Sequence, residues 1–328
     1  MKALVYTGVK TLEYQTVDDP VVADGSALVE VEAVGICGSD MHAWAGHDAR
    51  RPAPLILGHE AAGTVRGGEL DGQRVTVNPL VTCGQCEWSL RGQDNLCESR
   101  QIISMPPREG AFAEQVAMPI GNLVVVPDHV SSERAALAEP IACGWHAVDR
   151  AIGALQQDHT QTRALVLGGG AIGLGAALCL RARGVPEVVV AETNPLRHPA
   201  VASAGFTVVD PREENLDNGF QLIIDGVGYA ATRATATAAA RPGGVIAHIG
   251  LGEATDGLDI RRMTLHEITF IGTYTYTMSD FRATCAALFA GQLGELDWTE
   301  QRALADGGQA CDDIAAGVVA APKIVLRP

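Results

Sequence analysis

The sequence has few positive charges and no long run of them. Lys and Arg together number 24 against 39 for Asp and Glu, which gives a formal net charge of −15. No run of Lys or Arg is longer than two residues. Because nucleic-acid binding is driven by Lys and Arg that displace the counterions of phosphates, this balance argues against a nucleic-acid partner.

Long apolar runs are also lacking. The first residues, MKALVYTGVKTLEY, turn polar after a few apolar positions and contain no signal-peptide core, so we expect a cytoplasmic protein. The longest stretch without a charged residue, 164–180, has 17 residues and contains three consecutive glycines. It predicts a strand, a turn and a buried helix rather than a membrane span. In a reducing compartment the eight cysteines are expected to be thiols or metal ligands, not disulfides.

The first part of the chain is rich in short strand patterns. With 328 residues, of which 47% are apolar, the chain is longer than one core usually supports, which predicts about two domains. From Met1 to about Val126, segments such as ALVEVEAVG and QRVTV are separated by Gly, Pro, Asp and Asn. This spacing predicts a compact all-β unit.

After residue 128 the pattern changes to helices and buried strands. Ser131 or Ser132 can cap a helix that Pro140 breaks or kinks. From residue 164 onward, β-branched runs alternate with Ala-rich helical segments, which predicts a doubly wound α/β domain whose parallel sheet is covered on both faces. The last portion, 268–328, contains a predicted helix near 279–291, and we expect it to pack back onto the first half.

A glycine-rich turn points to a dinucleotide. Residues 168–173, GGGAIG, fit the G-x-G-x-x-G pattern between a predicted strand and a predicted helix, where glycines allow a tight turn beside a pyrophosphate. Glu192 ends the next strand, 19 residues after Gly173, and an acid there favours NAD over NADP. Arg197 weakens this preference slightly, because an Arg can accept a 2′-phosphate. The predicted cofactor contacts are Gly168, Gly170, Ala171, Ile172, Gly173, Glu192, Arg197, Val227, Ile249, Thr273 and Tyr274.

Possible metal ligands lie upstream of that turn. Cys37 is followed 22 residues later by the adjacent pair His59 and Glu60. A thiolate, an imidazole and a carboxylate are all zinc ligands, and a catalytic zinc needs three protein ligands plus an open position. Taken singly, however, a Cys is most often a small buried apolar residue, so these residues alone leave the question open.

Several motifs together resemble one family. GICGSDMH, LGHEAAG, the CGQC loop, LAEP, the glycine turn and GTYTYT occur in the order and approximate spacing of the zinc-dependent medium-chain dehydrogenase/reductase family. The sequence is most similar to its polyol (sorbitol-type) and threonine dehydrogenase branch, over essentially the whole chain. The resemblance implies an α/β fold with a Rossmann dinucleotide-binding domain, 141–272, and a β-rich GroES-like catalytic domain, 1–140 and 273–328.

The resemblance also implies roles for individual residues. Cys37, His59 and Glu60 match the ligands of the catalytic zinc, and Glu139 matches an acid that binds this zinc directly or through water. Ser39 matches the hydroxyl that first takes the substrate proton, and His42 is similar to the histidine that passes it to solvent. Zinc lowers the pKa of a bound hydroxyl, so that an alcohol can lose its proton near neutrality while hydride leaves for the nicotinamide.

Two positions depart from the family pattern. The structural-zinc lobe of the family has four cysteines, whereas the lobe of this chain, residues 83–97, has Cys83, Cys86, Cys97 and Ser89. We expect no stable second zinc there, because structural sites normally need four protein ligands, although Glu87 or Asp94 can complete a weaker site. In addition, Thr275 stands where polyol enzymes commonly have an Arg, which makes polyol specificity less certain. Thr275, Trp44 and Phe112 are candidate pocket residues, and the two aromatic residues fit a core position equally well.

These features predict a zinc- and NAD-dependent dehydrogenase of a secondary alcohol, in particular of a polyol or a sugar-derived alcohol. A threonine-type 3-hydroxy amino-acid dehydrogenase shares every catalytic residue and remains an alternative. Two further alternatives are a zinc-free quinone or enone reductase and a dinucleotide-binding protein without catalysis. By analogy with relatives that associate through the edge of the cofactor sheet, we expect a homodimer or a homotetramer, and no membrane partner.

Overall fold

The computed structural model describes residues 1–214 and 216–328. The first part of the chain forms mostly short strands and two short helices. The strands are β1 (Lys2–Gly8), β2 (Thr11–Thr16), β3 (Ser26–Gly35), β4 (Leu55–Ile56), β5 (Glu60–Arg66), β6 (Arg74–Val77), β7 (Leu80–Val81), β8 (Gln101–Ile102), β9 (Gln115–Pro119) and β10 (Leu123–Val125). The helices are α1 (Gly38–Trp44) and α2 (Glu87–Leu90).

The second part alternates helices with strands. Its elements are α3 (Ser132–Ala136), α4 (Ala138–Ala154), β11 (Arg163–Leu167), α5 (Ala171–Ala182), β12 (Glu187–Ala191), α6 (His198–Ser203), β13 (Thr207–Val209), β14 (Phe220–Asp225), α7 (Ala230–Ala239), β15 (Ala240–His248), α8 (Ile260–Leu265) and β16 (Thr269–Gly272). The chain then continues through α9 (Met278–Phe289), β17 (Thr299–Ala303), α10 (Gly307–Ala315) and β18 (Lys323–Arg327).

The β-rich domain is built around β3. Its sheet has the order β10-β6-β5-β3-β18-β17, and β9 also pairs with β3. Along β3 the side chains of Val29, Val31 and Ala33 are buried and those between them are more exposed, as expected for a strand with one face on the core. The sheet ends near Gly35, directly before Cys37, so the core strand delivers this cysteine to the edge of the domain.

The α/β domain has the predicted doubly wound sheet. All neighbours in the order β13-β12-β11-β14-β15-β16 are parallel. β14 is buried at every position, which explains the apolar residues Leu222, Ile223 and Ile224 at its centre. The uncharged stretch 164–180 forms most of β11, the glycine turn and most of α5, and no helix in the described parts of the chain is long and apolar enough to cross a membrane.

The helix predicted after residue 130 is two helices. Ser131 caps α3 by accepting a hydrogen bond from the backbone NH of Arg134 at 3.3 Å. The break comes at Leu137, three residues before Pro140, because a proline is tolerated in the first turn of the helix that follows. Helix α4 crosses residue 140, the predicted boundary between the two domains. This helix therefore belongs in part to each predicted domain.

The segment after residue 272 packs onto the first half of the chain, as expected. Helix α9 packs mainly against α4, and its first residue, Met278, also contacts Asn78 and Asp94 of the β-rich domain. Phe281 and Cys285 of α9 lie in the same core cluster as Ile141 and Val148 of α4, because the apolar face of α9 matches that of its neighbour. The following part joins the sheet of the β-rich domain, where β18 pairs with β3 in antiparallel orientation.

Candidate active site

Asp40 holds together the two segments that carry the candidate metal ligands. Cys37 caps the start of α1, and its backbone NH donates to Asp40 Oδ2 at 3.0 Å. The backbone NH of Gly58 donates to Asp40 Oδ1 at 3.2 Å. Asp40 is almost completely buried, so its carboxylate fixes α1 against the loop that contains His59.

The three ligand candidates converge as the resemblance implies. One donor atom each of Cys37, His59 and Glu60 lies within 4.8 Å of the others. Nδ1 of His59 lies 3.4 Å from Asp40 Oδ1 and 3.3 Å from Ser104 Oγ. Its Nε2 faces Ser39 Oγ at 3.4 Å. A carboxylate on one ring nitrogen orients the other toward a metal, which is the usual arrangement around a zinc-ligating histidine.

Glu60 is paired on one oxygen only. Its Oε1 accepts a hydrogen bond at 2.6 Å from Lys323 Nζ, which also donates to the carbonyl of Ile36 at 2.8 Å. Its Oε2 is buried and has no hydrogen-bond partner among the described residues. A buried carboxylate oxygen without a partner is costly unless a cation meets it. The orphaned oxygen beside a thiol and an imidazole therefore fits a zinc ion.

Glu139 closes the site from the side of the α/β domain. It lies in the first turn of α4, is buried, and its Oε1 accepts a hydrogen bond from the Tyr276 hydroxyl at 2.7 Å. Burial raises the pKa of Glu139 to about 7, against the opposing charge of His59. A cation bound to the neighbouring donors acts in the same direction as His59 and favours the ionised carboxylate.

The glycine turn has the geometry that dinucleotide binding needs. Gly168 has φ +98°, which favours glycine, and a Cβ on Gly173 would lie 1.8 Å from the carbonyl oxygen of Gly168. Glu192 accepts hydrogen bonds from the backbone NH groups of Gly169 at 2.7 Å and of Asn194 at 2.6 Å. Arg197 Nη1 lies 3.7 Å from Glu192 Oε2. The acid expected at the adenosine ribose is thus fixed beside the turn.

One cavity of about 740 Å³ joins the two groups of residues. It contains Cys37, His59, Glu139, Ser39 and His42 on one side. The predicted cofactor contacts follow the carboxyl ends of the parallel strands, where open α/β sheets bind ligands. All of them line the cavity: Gly168, Gly170, Ala171, Ile172, Gly173, Glu192, Arg197, Val227, Ile249, Thr273 and Tyr274.

Two predicted pocket residues are in the core instead. Trp44 and Phe112 have exposed fractions of 3% and 0% and belong to the core cluster of the β-rich domain. Phe112 packs under Gly58, where a Cβ would lie 2.3 Å from the ring. Large apolar rings favour this dry environment, which the sequence could not distinguish from a pocket. Thr275 does line the cavity, and its buried Oγ1 has no partner in the described parts of the chain.

The three-cysteine lobe brings its side chains together as well. Cys97 Sγ lies 3.4 Å from Cys83 Sγ, and Ser89 Oγ lies 3.3 Å from Cys86 Sγ and 3.9 Å from Cys83 Sγ. The serine hydroxyl therefore takes the place of a fourth ligand. Hydrogen bonds from the backbone of Gln85 and Cys86 lower the pKa of Cys83 to about 6.

The carboxylates that could complete this lobe are engaged elsewhere. Glu87 pairs with Arg91 at 2.8 Å. The carboxylate oxygens of Asp94 accept from the backbone NH of Met278 at 3.2 and 3.1 Å. The donor set is thus three thiols and a neutral hydroxyl, which does not fit a closed structural zinc site.

Four residues of the site were missed in the sequence: Asp40, Ser104, Tyr276 and Lys323. Asp40 had a recognisable signal, because an acid three residues after Cys37 forms a capping box at the start of α1. Lys323 had none, since it reaches Glu60 only through the pairing of β18 with β3.

A metal-donor cluster and a dinucleotide turn on one cavity define an oxidoreductase that uses a metal and a nicotinamide cofactor. Residues 23–128 match the family model "Alcohol dehydrogenase GroES-like domain", and residues 171–290 match "Zinc-binding dehydrogenase". The chain belongs to the zinc-dependent medium-chain alcohol dehydrogenase family, in its polyol branch, with zinc and NAD as cofactors and a small-molecule alcohol as substrate.

Named relatives cover most of the chain. It is 32% identical over 309 residues to the L-galactonate-5-dehydrogenase of Escherichia coli (strain K12), covering 89% of this chain and 88% of that protein. It is 33% identical over 296 residues to the sorbitol dehydrogenase of Bacillus subtilis (strain 168), covering 84% and 82%. A zinc-binding dehydrogenase from Sinorhizobium meliloti 1021, crystallised with NADP, is 25% identical with a TM-score of 0.89, covering 100% of this chain and 99% of that chain.

Proposed function

We propose that this protein oxidises a secondary hydroxyl of a polyol or sugar-derived alcohol with NAD, and catalyses the reverse reduction. The observation that carries the proposal is the cluster of Cys37, His59 and Glu60, of which Cys37 and His59 line the cavity that also contains the glycine turn. The relatives named for sorbitol and for L-galactonate support a polyhydroxylated substrate.

Cys37, His59 and Glu60 would hold the zinc, which would supply a Lewis acid for the substrate oxygen. Asp40 and Ser104 orient the His59 ring through Nδ1, and Lys323 orients the Glu60 carboxylate. The Ser39 hydroxyl takes the substrate proton. His42, which shares the cavity, passes this proton toward solvent.

The cofactor preference rests on Glu192. Its carboxylate is buried at the turn and held by two backbone NH groups. A fixed negative charge there accepts hydrogen bonds from the ribose hydroxyls and repels a 2′-phosphate, so we expect NAD to be used in preference to NADP. Arg197, paired with the same carboxylate, has its charge partly neutralised.

The decisive experiment is steady-state reduction of NAD by the zinc-loaded enzyme with neutral polyols, simple secondary alcohols and threonine. We expect turnover of polyhydroxylated substrates and its loss in Cys37→Ser, with NADH binding retained. Activity with threonine alone would favour the amino-acid dehydrogenase, which shares every catalytic residue. Full activity without zinc would favour the quinone or enone reductase. NADH binding without turnover, unchanged in Cys37→Ser, would indicate a non-catalytic protein.

We also propose that the enzyme acts in the cytoplasm as a homodimer or homotetramer joined at β16. β16 is the edge of the parallel sheet, and the side chains of Ile260 and Leu265, in the preceding helix α8, are largely exposed. Apolar side chains beside an unpaired strand edge suit association with a second copy. Light scattering of Leu265→Glu should report a smaller particle than the parent protein, and an equal mass would contradict this interface.

A further inference from the structure

We propose that the substrate carries a carboxylate at one end of its polyhydroxylated chain, and that the arginine pair Arg50 and Arg51 binds this carboxylate. The inference rests on the proposed function and narrows it from sugar-derived alcohols in general to polyhydroxy acids. Its basis is the charge of the cavity on the side of the metal.

The two arginines share one counterion. Arg50 donates to Asp48 through Nε at 2.8 Å and through Nη2 at 2.9 Å. Arg51 donates to Asp48 Oδ2 through Nη1 at 2.5 Å. Asp40, the other acid that interacts with Arg51, is paired with His59, so two guanidinium groups face one carboxylate within this cluster. Both arginines line the cavity, whereas Asp48 is not among the lining residues, so the excess charge faces the ligand.

No carboxylate among the described lining residues is free to neutralise the positive charge of the arginine pair. Among the described residues that line it, the carboxylates are Glu139 and Glu192. Glu139 is at the metal centre with Tyr276. Glu192 is at the glycine turn with Arg197. Lys323 also lines the cavity and is neutralised by Glu60. The pyrophosphate of the cofactor is expected at the glycine turn, so a substrate carboxylate is the anion that remains for Arg50.

The arginine pair lies at a fixed place relative to the metal ligands. Arg51 is 3% exposed, and its Nε donates to the carbonyl of Ser104 at 3.0 Å. Ser104 Oγ in turn lies 3.3 Å from His59 Nδ1. Ser104 therefore links the arginine pair to His59, one of the candidate metal ligands. A chain that reacts at one carbon and ends in a carboxylate can contact both.

The cavity also offers a polar group that suits a substrate hydroxyl. Thr275 lines the cavity with a buried Oγ1 that is unpaired among residues 1–214 and 216–328. A ligand hydroxyl can donate to this oxygen and accept from it. Thr275 itself is held at φ +46°, a conformation that is uncommon for a residue with a Cβ. The structure thus keeps this hydroxyl in the cavity at some conformational cost.

An amino acid fits this site less well than a polyhydroxy acid. The ammonium group of threonine needs an acceptor near its carboxylate, and the lining carboxylates, Glu139 and Glu192, are both engaged elsewhere. An ammonium group beside two arginines is also repelled. The charges of the cavity therefore favour a polyhydroxy acid over threonine as the substrate, although dehydrogenases of both classes share the same catalytic residues.

The test compares aldonates, such as L-idonate and L-galactonate, with neutral polyols of the same chain length. For the parent enzyme we expect a higher kcat/KM with an aldonate, and a KM for it that rises with ionic strength because an exposed charge contact is screened. Arg50→Gln should lower the ratio of aldonate to polyol kcat/KM by about tenfold, mostly through KM, since the contact is remote from the reacting carbon. Arg50→Lys should restore part of that ratio.

Arg91→Gln is the matched control. Arg91 has a side chain exposed to 62%, close to the 59% of Arg50, and it also pairs with an acid, but it is not among the lining residues of the cavity. Its substitution should leave both kinetic constants unchanged. Polyol turnover without aldonate preference, or an Arg50→Gln variant with the parent ratio, overturns the anion site and leaves the proposed function standing. Turnover of neither class overturns both proposals.

Discussion

The side-chain amide of Asn95 donates to the backbone carbonyl of Tyr274 at 2.8 Å and so ties the three-cysteine lobe to the wall of the active-site cavity. Arg100 adds a contact with the face of the Tyr274 ring, 4.7 Å from its centroid. The lobe is thus a support for the cavity wall and supplies no ligand to the catalytic metal site. This distinction leads to the first prediction.

Cys37→Ala should abolish activity, whereas Cys83→Ala should lower stability or assembly at most. The first variant loses a ligand of the ion that polarises the substrate, an effect worth several kcal/mol, so we expect a fall in kcat of at least about 10³-fold. The second changes only the lobe. Kinetics together with zinc content measure both effects. If Cys83→Ala lost turnover while keeping its catalytic zinc, the separation of the two sites would be wrong.

Lys323→Met should strongly destabilise the metal-free protein. Glu60 and Lys323 are both buried, and removal of one partner of such a pair leaves an uncompensated charge that costs about 3–5 kcal/mol. Urea unfolding measures this change in the free energy of unfolding. The double variant Lys323→Met with Glu60→Gln should recover part of the loss. Equal stability of the single and double variants would show that charge is not the cause.

Gly173→Ala should weaken NADH binding by more than about tenfold, because its Cβ would lie 1.8 Å from the Gly168 carbonyl oxygen and force the turn to move. Gly153→Ala is the control in another helix, since nothing lies within 4 Å of the Cβ that it adds. This control should bind NADH normally and gain up to about 1 kcal/mol of stability. Titration of NADH fluorescence measures both affinities. An unchanged affinity in Gly173→Ala would show that the turn tolerates the methyl group.

Asp225 should make the folded state sensitive to acid. Burial alone would raise the pKa of its carboxyl, but hydrogen bonds from His248 and from the backbone NH groups of Gly228 and Val227 outweigh burial and lower the pKa. A pKa below that of the unfolded chain stabilises the fold above a pH of about 4, and this contribution is lost as pH falls through the folded-state pKa.

Unfolding of the parent protein and of Asp225→Asn at several pH values tests this linkage. The difference in unfolding free energy between the two proteins should be largest near neutrality and should shrink as the pH is lowered below 4, the range in which an ordinary Asp takes up its proton. His266→Gln, a substitution at the carboxyl-terminal cap of α8, is a control that leaves this carboxylate intact. A difference that stays constant with pH would contradict the role of Asp225.

Local patterns allowed much of the fold to be predicted. The alternating burial in β3 and the apolar centre of β14 can be predicted because each depends only on residues that are neighbours in the sequence. The sequence predicted that the last portion packs onto the first half of the chain, but it did not predict α4 as the partner of α9. Its apolar face suits any apolar surface, and only the tertiary arrangement selects α4.

The site residues, like the fold, could be predicted only where a local sequence pattern identifies them. Cys37, His59 and Glu60 were found through motifs, whereas Trp44 was assigned to a pocket that it does not line, because a core and a pocket both accept an apolar ring. The role of Lys323 could not be predicted, since no local sequence pattern indicates which residue a buried lysine pairs with. Its role is visible only where two distant strands meet.

The pairing of Glu60 with Lys323 spans 263 residues of sequence. Because a ribosome makes the chain from its amino end, Glu60 emerges long before its counterion, and the whole α/β domain is synthesised between the two. During that interval the β-rich sheet lacks β18, and the carboxylate has to stay in water or find a metal ion. The nascent protein therefore cannot bury its catalytic carboxylate against lysine until the dinucleotide-binding domain has already been made.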